Sequence, residues 1–228
     1  MKRILSVFLT CALLLTLLPT AALAAGETGD FTVTGGALDT DYSYADNTLT
    51  ILTSKTLTIS GTTTKDKIVI QDGITANVTL NNVNIDVIST NGACAFEVAG
   101  SAVYNLTLQG TNILSSGYQR AGLQVQTSDD KTASLTITEG STGSLTATGD
   151  NGGAGIGGSY KSGGIIVING GIIDTIGGGG AAGIGGGMNS GVKKITINGG
   201  NITARGRNLS SNGGAGIGSG YYNNCQRQ

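Results

Sequence analysis

The sequence predicts an all-β chain, a single-stranded parallel β-helix (solenoid) of about six coils with three short strands per coil. Three observations predict it. First, an apolar triplet recurs as Leu57-Thr58-Ile59, Val78-Thr79-Leu80, Leu106-Thr107-Leu108, Leu135-Thr136-Ile137, Ile166-Val167-Ile168 and Ile195-Thr196-Ile197, with starts 21, 28, 29, 31 and 29 residues apart. Second, each triplet is followed by a polar side chain able to bond the backbone where a strand turns: Ser60, Asn81, Gln109, Thr138, Asn169 or Asn198. Third, the single proline is Pro19, so no later rung loses a ladder hydrogen bond to proline, and no segment after residue 24 carries a long helical period.

Residues 1–24 read as a signal peptide. Lys2 and Arg3 precede the apolar run Ile4 to Leu18, and Ala22-Leu23-Ala24 supplies a small-residue cleavage site. Cys11 sits in the apolar run outside a lipobox-like setting, which argues against a lipid anchor. Cleavage would remove two of 13 basic and none of 14 acidic residues, leaving 204 residues with 11 basic and 14 acidic, a net charge of -3. The mature chain is thus expected to be extracellular, secreted or cell-surface associated, without a membrane span.

Residues 25–48 are expected as an irregular N-terminal cap and 49–222 as the repeats. Within each triplet the outer side chains are Val, Ile or Leu and the middle one is usually Thr, the alternation of a strand with one buried face. A second β-rich segment follows in most repeats: Val83-Asn84-Ile85, Leu145-Thr146-Ala147, Ile172-Ile173 and Ile202-Thr203-Ala204. A third comprises Phe96-Glu97-Val98, Ala121-Gly122-Leu123, Ala154-Gly155-Ile156, Ala182-Gly183-Ile184 and Ala215-Gly216-Ile217. Stacked in parallel at about 4.8 Å per rung, such units bury one continuous interior that no single coil could bury alone. A β-sandwich would show hairpin signals about every 8–12 residues instead. Residues 223–228 are read as an uncapped C-terminal tail.

Composition excludes several functions. With 39% hydrophobic and 12% charged residues the chain is too apolar for a disordered tail, and a net charge of -1 offers no general attraction to nucleic acid. The absence of histidine removes the commonest general base and metal ligand. Gly153, Gly155 and Gly158 satisfy G-x-G-x-x-G once, without a strand-turn-helix frame, and the tracts Gly179 to Gly187 and Gly213 to Gly218 do not keep the motif. Gly157 occupies the place where a calcium-binding nonapeptide repeat would need Asp. No cofactor and no metal are therefore expected; the glycines read as sharp corners, with the Ile of each tract pointing inward.

Asp72, Asp86, Glu97, Glu139, Asp150 and Asp174 fall on different coils, and the adjacent pair Asp129-Asp130 lies in a polar turn. Glycoside hydrolysis needs two carboxyls about 5–9.5 Å apart, so no catalytic residue is assigned. Tyr160 lies five residues after Gly155 and Tyr221 five after Gly216, with Met188 in the same place between them. Together with Tyr118 and Tyr222 they form a candidate strip for stacking on sugar faces. The Thr column Thr58, Thr79, Thr107, Thr136 and Thr196 reads as ordinary outward strand threonine. Cys94 and Cys225, about four rungs or roughly 19 Å apart, are too distant for a disulfide.

The units Ile166-Val167-Ile168-Asn169-Gly170-Gly171 and Ile195-Thr196-Ile197-Asn198-Gly199-Gly200, alternating with Ala-Gly-Ile-Gly, resemble the Gly-rich repeats of bacterial secreted and cell-surface carbohydrate-binding-domain proteins. The resemblance is strong over residues 133–220 and thinner over 48–132. It implies a parallel β-helix related in shape to polysaccharide lyases, a surface location and binding of polysaccharide or a cell-surface glycan, and it carries over no catalytic residue. Because 223–228 brings no polar capping helix or wall anchor, continuation into, or pairing with, further repeats is expected. The function expected is polysaccharide binding without catalysis, with a structural spacer or adhesin stalk as the alternative and a lyase- or hydrolase-like enzyme as the lesser one.

Overall fold

The computed structural model describes residues 28–128, 130–209 and 212–221. The signal-peptide segment, Asp129, Tyr222, Cys225 and the expected tail lie outside these residues.

The described residues form strands and turns. In chain order the strands are β1 (Phe31–Thr34), β2 (Tyr42–Ala45), β3 (Thr48–Ile51), β4 (Thr56–Thr63), β5 (Lys67–Ile70), β6 (Thr75–Asp86), β7 (Phe96–Val98) and β8 (Val103–Gln109). There follow β9 (Thr111–Ser115), β10 (Leu123–Val125), β11 (Thr127–Ser128), β12 (Lys131–Thr132), β13 (Ser134–Ile137), β14 (Ser144–Thr148) and β15 (Ile156–Gly157). The series ends with β16 (Gly163–Ile168), β17 (Ile172–Gly179), β18 (Ile184–Gly185), β19 (Val192–Ile197), β20 (Asn201–Leu209), β21 (Asn212–Gly213) and β22 (Ile217–Gly218).

The strands build an all-β protein dominated by parallel pairing. A 12-stranded sheet runs β19-β16-β13-β8-β6-β9-β14-β17-β20-β21, with β4 also on β6, so it curls where the long β6 serves both arms. An 8-stranded sheet runs β2-β3-β5-β7-β10-β15-β18-β22. Every strand from β13 to β19 pairs in parallel with a partner about one repeat away, as crossover connections require.

Alternation explains the core. Strands such as β3, β5 and β13 bury every second residue, and those side chains meet in one cluster drawn from both arms and the smaller sheet. Leu57, Ile59, Leu106, Ile137 and Ile168 come from the first arm, Ile85, Leu114 and Leu145 from the second, and Ile51, Ile70, Phe96 and Ile156 from the smaller sheet. Burying each such side chain contributes about 1.5–3 kcal/mol before entropy is counted. Within this core Phe96 and Tyr104 stack with ring centroids 4.9 Å apart and planes 7° from parallel.

The register corrects two expected columns. Leu135 pairs with Tyr104 and Ile137 with Leu106, so the triplet at 135 slips two residues against the triplet at 106. The Thr column therefore splits: Thr58, Thr79 and Thr107 continue to Thr138, whose hydroxyl lies 2.9 Å from that of Thr107. Thr136 instead stands beside Asn105, followed by Val167 and Thr196. In the third segment Phe96 pairs with Leu123 rather than Ala121, and Leu123 continues to Ile156, Ile184 and Ile217. The large inward side chain of each coil thus occupies one line.

The segment expected to be an irregular cap carries β1, paired antiparallel with β4, and β2, paired antiparallel with β3. These strands close the edge at that end. A buried carboxylate pins them: Asp66 accepts hydrogen bonds from the Asp30 amide at 2.8 Å and the Tyr44 hydroxyl at 2.9 Å. At the other end Ile195, Ile202 and Ala204 are only partly buried and Ile217 is exposed, as an outermost rung requires.

Asn112 is a polar member of an otherwise apolar inward line, Val83-Asn112-Leu145-Ile173-Ile202. Its Oδ1 accepts from the Val83 amide at 2.9 Å, and its Nδ2 donates to the Gln109 and Ser144 carbonyls at 2.9 and 3.0 Å. Fully bonded, the buried amide joins three coils without an unsatisfied group.

A surface clamp makes a pH prediction. Asp72 accepts from the amide and hydroxyl of Ser101 at 2.8 and 3.0 Å and pairs with Lys131, tying three successive coils. The Lys131 bond foremost, then Ser101, holds its carboxyl down at about 2. A lowered folded-state pKa contributes stability that is present above the unfolded value near 3.9 and is lost as pH falls through the folded value. Asp72→Asn is therefore expected to melt below the parent at pH 6, with the difference vanishing as the pH approaches 2. Thermal melts from pH 6 to 2 check this, and a pH-independent difference would refute the clamp.

Candidate functional site

Loops from three coils converge on one side of the molecule and enclose an open cleft of about 320 Å³, lined by Asn91, Gly92, Tyr118, Gln119, Arg120, Gln126, Ser159, Tyr160 and Lys161. Asn91 and Gly92 lie between β6 and β7, residues 118–120 between β9 and β10, and residues 159–161 between β15 and β16. Gln119 adopts φ 61°, a left-handed turn position between the Tyr118 and Arg120 side chains.

The walls are polar and fixed. Arg120 Nε donates to the Gly92 carbonyl at 3.0 Å, joining two of the loops. The Asp150 amide donates to the Arg120 carbonyl at 3.1 Å. Beneath the cleft, Ser159 Oγ donates to Gln124 Oε1 and accepts from the Ala121 amide at 3.3 Å, while Gln124 Nε2 donates to Glu97 at 2.9 Å. This buried chain seats the Tyr160 loop on the two coils before it. Gln126 Oε1 is buried without a hydrogen-bond partner.

The structure brings together two of the four tyrosines read from the sequence. Tyr118 is 43% and Tyr160 38% exposed, and both line the cleft. The Tyr160 ring covers Gly152, where a Cβ would stand 2.5 Å from Cε2, and its hydroxyl lies 4.0 Å from Met188 Sδ. Met188 and Tyr221 follow in the expected column: the Met188 amide donates to the Gly152 carbonyl as the Tyr221 amide does to Gly180 one repeat on. Tyr221 is partly buried, lies beyond Met188 in that column and does not line the cleft. Tyr222 falls outside the described residues.

Sequence reasoning missed Arg120, Lys161 and Gln126. The signal for Arg120 and Lys161 was the recurrence of a tyrosine followed within two residues by a cation, Tyr118-Gln119-Arg120 and Tyr160-Lys161; Gln126 had none. The carboxylates are dispersed as the sequence suggested: Asp72 holds Lys131, Asp174 holds Arg205 at 2.9 Å, and Glu97 holds Gln124. Among the described residues no group of three His, Cys, Asp or Glu side chains is placed to hold a metal ion, and no helix is long and apolar enough to cross a membrane. Cys94 is a buried free thiol, with Sγ 3.3 Å from the Phe96 carbonyl oxygen, and burial foremost raises its pKa to about 12.

Fold and cleft together define an all-β protein of stacked parallel strands that presents an aromatic and cationic groove on one corner. No family model, curated protein or solved structure matches the chain.

Proposed function

We propose that this chain is an extracellular, surface-associated parallel β-helix that binds polysaccharide in the Tyr118–Tyr160 cleft and performs no catalysis. The observation that carries the reading is the convergence of two exposed tyrosine rings on one open groove walled by amide side chains. Aromatic rings offer a flat apolar face to the C–H face of a sugar, and neighbouring amides match its hydroxyls with donors and acceptors. An open cleft of this size suits a segment of a polymer better than an enclosed small molecule. The β-helix reading is supported by the parallel partners of β13, β16 and β19 lying 29–31 residues apart.

A stiff spacer or stalk is the second reading. The coil-on-coil packing of the Gly-rich tracts favours it, because that packing needs no ligand. Equilibrium depletion against a panel of soluble and insoluble polysaccharides separates the two. Saturable binding is expected, with the Tyr118→Ala, Tyr160→Ala pair weakening it about thirtyfold while the fold is retained, since neither ring belongs to the buried core. Absence of binding by the folded protein to every polymer would leave the stalk.

A further inference from the structure

We infer that the polysaccharide recognised by this cleft is an anionic one, whose carboxylate or sulfate groups are held by Arg120 and Lys161. The inference rests on the glycan-binding reading and names its substrate class. Arg120 and Lys161 both line the cleft, and no Asp or Glu does. Neither cation belongs to any of the ion pairs among the described residues, which engage Lys55, Lys65, Lys131 and Arg205. What sets these two apart from the other cations outside ion pairs, such as Lys67, Lys193, Lys194 and Arg207, is that they share one cleft.

The geometry favours a fixed anion site at Arg120. Its Nε is committed to the Gly92 carbonyl, which orients the guanidinium and leaves its terminal nitrogens for a planar or tetrahedral oxyanion. Lys161 follows Tyr160 directly and lines the same cleft from a different loop, so a sugar stacked on the tyrosines would have two cations in the same cleft for its charged substituent. A neutral glycan would leave both cations unmatched.

The test compares polymers that differ in charge alone. Purified protein is titrated with polygalacturonate and its fully methyl-esterified form, and with chondroitin sulfate and its desulfated, carboxyl-reduced form. The acidic member of at least one pair is expected to bind about tenfold or more tightly than its neutral partner, the gap closing as salt rises from 50 to 500 mM. Arg120→Gln, Lys161→Gln is expected to lose that preference. Lys193→Gln, Lys194→Gln, with the same change of charge on exposed positions of β19, keeps it. Preference within the polygalacturonate pair supports the inference with carboxylate as the anion, and preference within the chondroitin pair alone supports it for a polymer bearing both carboxylate and sulfate. Equal, tyrosine-dependent binding of charged and neutral forms overturns it while leaving glycan binding in place. Equal loss in the cleft variant and in the Lys193→Gln, Lys194→Gln variant overturns it as bulk charge attraction. Failure to bind any polymer removes the glycan reading as well.

Discussion

Gly157→Ala is expected to destabilise the protein by about 4 kcal/mol, because it combines a forbidden backbone with a clash that cannot relax. Gly157 has φ 135°, as does Gly185, and Gly218 has φ 131°; the three pair along β15, β18 and β22. An L-residue held in that region costs about 1–3 kcal/mol. A Cβ on Gly157 would also stand 2.0 Å from the Gly185 carbonyl oxygen. That oxygen accepts the Gly158 amide at 2.9 Å, so moving it away breaks a rung of the ladder, at about 1 kcal/mol more. Gly140, where an added Cβ meets nothing within 4 Å, provides the control, with Gly140→Ala expected within about 0.5 kcal/mol of the parent. Urea titration of both variants decides the matter, and a Gly157→Ala midpoint equal to the parent's would show that the corner is not confined as described. Ser159 and Tyr160 lie two and three residues on, so the same variant is expected to lose glycan binding along with the loop.

Phe96→Ala is the other large effect, an expected loss of about 3–5 kcal/mol. Phe96 is wholly buried between Ile68 and Leu123 of the neighbouring strands, with its ring stacked on Tyr104 from the other sheet. Truncation would remove the contact between the two sheets and leave a void walled by β-strands, which cannot collapse without breaking their ladders. Tyr104→Phe should act in the opposite direction. The Tyr104 hydroxyl is buried with no hydrogen-bond partner, and burial holds its pKa well above the ordinary phenol value. Deleting an unsatisfied buried hydroxyl while keeping the ring is expected to raise stability by about 1 kcal/mol. Chemical denaturation of the two variants reads both signs, and a destabilised Tyr104→Phe would mean that the hydroxyl has a partner.

The apolar triplets and the glycine corners were legible in the sequence because each is local: alternation sets which side chains face inward, and a stacked corner admits only glycine where a Cβ would strike a carbonyl. The polar followers do not end every strand, since β4 and β6 run on through Ser60 and Asn81, and Asn169 bonds the Asn198 side chain of the next repeat. The register between coils was not legible. Tyr104-Asn105-Leu106-Thr107-Leu108 offers two overlapping inward pairs, Tyr104 with Leu106 and Leu106 with Leu108. A slip of two residues preserves the buried face, so alternation alone does not choose between them. Long-range contacts choose: the stack of Tyr104 on Phe96, the Thr107–Thr138 contact and the Ser141 hydroxyl at 3.1 Å from the Leu108 amide. Asn112 was hidden for a related reason. A polar residue in an apolar line reads as outward until the Val83 amide of one neighbouring coil and the Ser144 carbonyl of the other are seen to bond it.

The binding strip shows the same division. Periodicity put Tyr160, Met188 and Tyr221 in one column, and the structure keeps that column. It took tertiary structure to pair Tyr160 with Tyr118 rather than Tyr221 and to bring Arg120 and Lys161 beside them. The sequence by itself determined the all-β class, the inward apolar residues and the corners, because alternation and glycine sterics act within a few residues. Only the tertiary structure decided which coils stand in register and which loop side chains share a cleft. Those depend on how loops of unequal length stack, a quantity set by contacts between coils and written in no single repeat.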